Sequence, residues 1–164
     1  MKNQEINLLF FARTYDFLNV YLPKHKNGSD HTRTAYKTAL RDFKNYTNQV
    51  KEIPTRKFYF SDCTYDYVLD YRNYMYDVKK YRESTVNSKL AAIRSYLDYA
   101  ASRDTSLIQI KFCVDRVPLL TVPKVHQPVI ESVDSLAALL SKPGNTRTGL
   151  RDKVIMSVLY DSGM

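Results

Sequence analysis

Arg82, Ser84, Thr85, Asn87, Lys89 and Arg94 are gathered into one short stretch of this 164-residue chain. If that stretch opens a helix, its free backbone amides and the positive end of the helix dipole favour a phosphate. Capping is the competing reading of Ser84 and Thr85, because such residues begin many helices for purely structural reasons. A second group repeats the same chemistry along one side of a helix: Thr34, Thr38, Arg41, Asn45 and Asn48, flanked by Arg33, Lys37 and Lys44. Arg and Lys side chains suit phosphate oxygens, whereas Thr34, Thr85 and Asn87 could reach base edges. Lys124, in a proline-containing stretch, adds one more candidate cation.

Chemistry of other kinds has little support. There are no paired carboxylates beside a polar groove, no Gly-rich phosphate loop and no nucleophile triad spacing. Tyr160 has no His or Arg cluster beside it and makes no credible nucleophile. Cys63 and Cys113 lie far apart, and His25, His31 and His126 are scattered. Neither a disulfide framework nor a metal site is expected, and no cofactor is implied; the thiols read as buried or idle.

Charge points towards a polyanion. Residues 1–126 hold 21 Lys and Arg against 13 Asp and Glu, whereas residues 127–164 hold four of each, so all of the net +8 lies in the first part. Neutralised phosphates release counterions and supply sequence-independent affinity. A merely basic surface remains the alternative. Hydrophobic residues make up 44% of the chain, enough for a packed core rather than disorder. No apolar run is long enough to cross a membrane, and the N-terminal apolar stretch is too short for a secretory signal, so a cytoplasmic location is expected.

These groups must be positioned by helices, since strand signals are thin and there are only four glycines. A first helix is predicted over Asn3 to Tyr21, closed by Pro23. Asp30 caps a second, whose apolar face is Tyr36, Leu40, Phe43, Thr47 and Val50. Lys51 to Phe60 reads as a connection. A third helix from Thr64 to Lys80 aligns Tyr67, Tyr71, Tyr74, Val78 and Tyr81; a fourth from Thr85 to Ser102 aligns Val86, Leu90, Ile93, Leu97 and Ala100. Asp104 to Phe112 forms one further short helix. The pattern predicts an all-α antiparallel bundle over residues 1–116. Pro118, Pro123 and Pro128 mark residues 117–131 as a linker. In residues 132–164, Ser132 caps a helix carrying Val133, Leu136, Leu139 and Leu140, and Thr148 caps another with Val154, Ile155, Val158 and Leu159, ending at Gly163.

Two features admit more than one use. Ser84, Ser88, Ala91 and Ser95 form a stripe of small side chains, which lets either DNA or another helix come close. The fourteen tyrosines fall mostly on apolar stripes, where core packing is favoured over stacking on bases.

In order along the chain, HTRTAYKTALRDFKNY, RESTVNSKLAAIRSYLDYA, PKVHQP, VDSLAALL and TGLRDKVIMSVLYDSG resemble successive parts of phage-integrase-type tyrosine recombinases. The resemblance implies a core-binding domain of the integrase (SAM-like) type, an interdomain linker and the opening helices of a catalytic domain. Such enzymes clamp a recombination site and form a transient DNA phosphotyrosine, aided by two Arg, a Lys and one or two His. By this resemblance the first catalytic arginine would be residue 165 and the other catalytic motifs would follow Met164. The implied reading is a DNA-binding fragment of a recombinase from a mobile element or phage, itself without catalytic residues. Its partners would be the double-stranded core site and, in the full-length protein, further protomers. A helical protein-interaction module with incidental charge is the rival.

Overall fold

The computed structural model describes residues 8–25, 29–124 and 132–162. The start of the expected first helix (Asn3 to Asn7), linker residues Val125 to Glu131 and the terminal Gly163 lie outside them. The chain divides into two units, Met1–Val122 and Pro123–Met164. Seven helices occur among the described residues, with no strand beyond one isolated bridge, an all-α architecture. None of them is long and apolar enough to cross a membrane.

In the first unit, α1 is a run of short segments, Phe10–Arg13, Thr14–Asp16, Phe17–Tyr21 and Leu22–His25. Pro23 was expected to close it, yet the helix passes through. Pro23 offers no N–H to Asn19 and its ring crowds that carbonyl, a conflict relieved when the preceding turn widens. Phe17–Tyr21 is that π turn, with the Leu22 N–H donating to the Phe17 carbonyl.

Helix α2 spans Asp30–Gln49. Ser29, rather than Asp30, is its cap: Ser29 Oγ accepts from the Thr32 N–H at 3.3 Å. Leu40, Phe43 and Thr47 are buried as the spacing predicts, joined by Ala39 and Tyr46, while Val50 is exposed beyond the last turn. Helix α3 spans Tyr65–Asn73 and continues as a second π turn, Tyr74–Val78. The wider turn rotates the expected stripe. Met75 takes the buried place and Val78 is left 64% exposed. Helix α4 spans Glu83–Arg103 and α5 spans Ile108–Asp115. All five residues of the α4 stripe, Val86 to Ala100, are buried.

The expected connection between α2 and α3 contributes to the core. Phe58 and Phe60 are fully buried there, and Leu9 pairs with Tyr59 through Phe10 N–H to Phe58 O (2.9 Å) and Phe60 N–H to Leu8 O (3.0 Å). These bonds seat the Phe10 ring against Phe43, Phe58, Phe60 and Tyr96, at centroid distances of 5.4, 5.4, 5.0 and 5.3 Å. Such tilted and edge contacts suit the aromatic quadrupole.

In the second unit, α6 spans Val133–Ser141 and is capped by Ser132 as expected. Helix α7 spans Arg147–Asp161, and its cap is Thr146 rather than Thr148, with the Gly149 N–H donating to Thr146 Oγ1 at 3.1 Å. Leu150, Val154, Ile155, Val158 and Leu159 are all exposed on α7.

Candidate nucleic-acid interface

Helices α2 and α4 pack against each other and leave between them an open cleft of about 860 Å³. Small side chains line much of it, Thr34, Thr38 and Ala39 from α2 and Thr85, Ser88 and Ala91 from α4, together with the longer Tyr36 and Lys89. Residues three and four apart share a helix face, so the small side chains of each helix fall together. The small-residue stripe divides accordingly: Ser84, Ser88 and Ala91 are exposed, whereas Ser95 is buried in the bundle. His31 also lines the cleft, one turn before Thr34, and its i, i+3 spacing to that threonine was the signal that could have found it.

Cations stand along α2. Arg33, Lys37, Arg41 and Lys44 are exposed. Arg33 lies 3.5 Å from Asp30 and Arg41 3.8 Å from Asp42, long surface pairs of little energetic weight. Among the described residues, Lys37, Lys44 and Arg82 form no ion pair. Arg82 is the N-terminal flanking residue of α4 and its side chain does not cap, nor do Ser84 and Thr85, which lie inside the first turn. The Thr85 and Val86 amides both donate to the Arg82 carbonyl, at 2.9 and 3.0 Å, which leaves those of Glu83 and Ser84 as the uncapped amides of the first turn. Glu83 adds a negative charge to that turn and accepts from Tyr76 Oη at 3.3 Å.

Three residues expected on the DNA face are engaged within the unit. Lys89 is ion-paired to Asp42 across the two helices. Arg94 donates to the Val117 carbonyl. Both ends of the Asn87 amide bond Leu120, Nδ2 to its carbonyl at 2.8 Å and Oδ1 from its N–H at 2.9 Å. Contacting a base would cost Asn87 two satisfied hydrogen bonds. Asn48 accepts from Thr55 Oγ1 at 3.0 Å, and Asn45 lines a separate small pocket beside Tyr71. Lys124 is exposed and belongs to the other unit.

Several tyrosines of the bundle, among them Tyr46, Tyr71, Tyr96 and Tyr99, are core groups, whereas Tyr15 and Tyr76 are exposed. Burial pushes the Tyr67 and Tyr96 hydroxyls up to about 12 and drives Tyr71 further in the same direction. Tyr67 Oη donates to Thr47 Oγ1 at 3.1 Å, and Tyr96 Oη donates to the Phe10 carbonyl. Such hydroxyls resist becoming nucleophiles. Cys63 is buried, with its thiol pushed up by desolvation, and Cys113 is a second free thiol, half-buried.

Residues 13–112 match the phage integrase SAM-like domain family. The chain is also similar to proteins named tyrosine recombinase XerC. That of Natranaerobius thermophilus is 30% identical over 151 residues, covering 91% of this chain and 46% of the relative. That of Listeria innocua is 29% identical over 148 residues, covering 88% and 45%. The chain thus spans under half the length of these relatives. No solved structure matches it significantly. A family match that spans three of the five helices of the first unit in full and most of the other two agrees with the all-α bundle described above, and the chain belongs to the phage integrase SAM-like domain family.

Proposed function

We propose that the first unit grips duplex DNA as part of a site-specific tyrosine recombinase. The observation that carries this reading is the α2–α4 cleft, lined largely by hydroxyl and methyl groups, on a helix α2 that also carries four exposed cations. Arg33, Lys37, Arg41, Lys44 and Arg82 hold phosphates, while Thr34, Thr38, Ser84 and Thr85 lie where hydroxyls can meet sugar, phosphate or base edges. The excess positive charge of residues 1–126 adds long-range attraction. Asn87, Lys89 and Arg94 are assigned to holding the bundle rather than to DNA.

The wider protein, on this proposal, breaks and rejoins DNA at a specific site together with further protomers. Family membership and the tyrosine recombinase relatives support it. Residues 1–116 serve as the core-binding domain, 117–131 as linker and 132–164 as the opening of a catalytic domain, with Lys124 a further phosphate contact.

Fluorescence anisotropy with a labelled duplex across a salt series tests the binding. Micromolar or weaker affinity that falls steeply with salt is expected from phosphate contacts. Salt-insensitive binding, equal for DNA and a neutral partner, would favour a protein-docking module instead.

A further inference from the structure

Beyond α5 the chain has no regular structure from Pro118 to Lys124. Prolines 118 and 123 withhold N–H groups, and a segment of this kind ordinarily leaves its backbone to water. Its first residues are instead held by side chains from far away in sequence. Arg72, on α3, donates through Nη1 to the Pro118 carbonyl at 2.9 Å. Arg94, on α4, donates through Nη2 to the Val117 carbonyl. Asn87, also on α4, bonds both the N–H and the carbonyl of Leu120, as a neighbouring strand would. Val117 is buried, and Leu120 is packed against the core.

We propose that Arg72, Asn87 and Arg94 form a latch that makes Val117 to Leu120 a fixed part of the bundle, so that the connection can change direction only beyond Leu120. Apolar contact alone would hold the segment without orienting it, because hydrophobic attraction has no direction. Two bonds from one planar amide to one residue fix orientation as well as position. The guanidinium groups add charge-assisted bonds on the two preceding carbonyls, so three of four consecutive residues are tied down. The latch is independent of the DNA reading, since it consumes groups that the cleft does not use.

Residue-resolved hydrogen exchange on the whole chain tests it. The Leu120 amide has Asn87 Oδ1 as acceptor, whereas the Thr121 amide has no acceptor among the described residues and serves as an unprotected reference. The parent should exchange Leu120 about tenfold or more slowly than Thr121, after allowance for intrinsic rates. Asn87→Ala should erase that difference while the amides of Leu97 and Ala100 keep their rates, showing that α4 is intact. Asn87→Asp retains the acceptor and should keep part of the protection. Equal rates for Leu120 and Thr121 in the parent would overturn the latch without any variant, as would unchanged Leu120 protection in Asn87→Ala.

Discussion

Lys89 and Asp42 form an ion pair across α2 and α4, with only 12% and 24% of their side chains exposed. The Lys89 ammonium also lies 5.3 Å from the centre of the Tyr81 ring. The pair ties together the two helices that wall the cleft. Removing one partner strands the other charge in a poorly solvated place, which costs more than the pair itself contributes. Lys89→Ala should therefore lower the unfolding free energy by about 2–4 kcal/mol, read from urea denaturation. Lys89→Met combined with Asp42→Leu should recover most of that loss, because neither charge is then buried alone.

Gly149 provides a test in the second unit. A Cβ there would stand 1.9 Å from the Gly144 carbonyl oxygen, whereas one at Gly144 would meet nothing within 4 Å. Backbone cannot yield as a flexible side chain can. Gly149→Ala should cost about 1–3 kcal/mol, visible as faster hydrogen exchange along α7, and Gly144→Ala should leave α7 unaffected. Equal effects at both positions would mean that the loop does not lie against the helix.

Alkaline sensitivity follows from the buried tyrosines. Burial raises Tyr67 and Tyr96 from the ordinary tyrosine value of 10.0 to about 12. With the folded value above the unfolded one, the neutral hydroxyls stabilise the fold fully below pH 10, and this contribution is lost as pH rises through 10 towards 12. The urea midpoint should fall between about pH 9 and about pH 11, with tyrosinate absorbance rising in step with unfolding.

The chain should form no covalent adduct with DNA. Burial makes the Tyr71 and Tyr96 hydroxyls resist ionisation, and exposed Tyr160 has no Arg or His within a helical turn of it in the sequence. Incubation with a nicked duplex followed by denaturing electrophoresis should show only free DNA. A retarded, protease-sensitive band would refute this.

Helical periodicity exposed the second and fourth helices well, because a buried stripe repeats every three or four residues whatever packs on it: Leu40, Phe43 and Thr47 in one, Val86 to Ala100 in the other. The two π turns were invisible for the same reason. One extra residue in a turn shifts the register without changing composition, and so Met75 replaced Val78 in the core. Phe58 and Phe60 were hidden because a non-periodic connection carries no phase from which to infer burial. At the candidate site, exposed cations on α2 followed from their spacing, but the inward engagement of Asn87 and Arg94 depends on Leu120 and Val117, 33 and 23 residues away. No local pattern encodes such a pairing. His31 lay one helical turn from Thr34 and could have been included by spacing alone.

On the proposed function, exposed cations of α2 hold DNA phosphates while the Lys89–Asp42 pair holds the bundle. The most direct test is the slope of log affinity against log salt for the parent and for Lys37→Ala combined with Lys44→Ala. Each lost phosphate contact should reduce the magnitude of the slope by about 1, with thermal stability changed by no more than about 0.5 kcal/mol. An unchanged slope and affinity in a folded double variant would contradict the account and move the DNA, if bound at all, to another face.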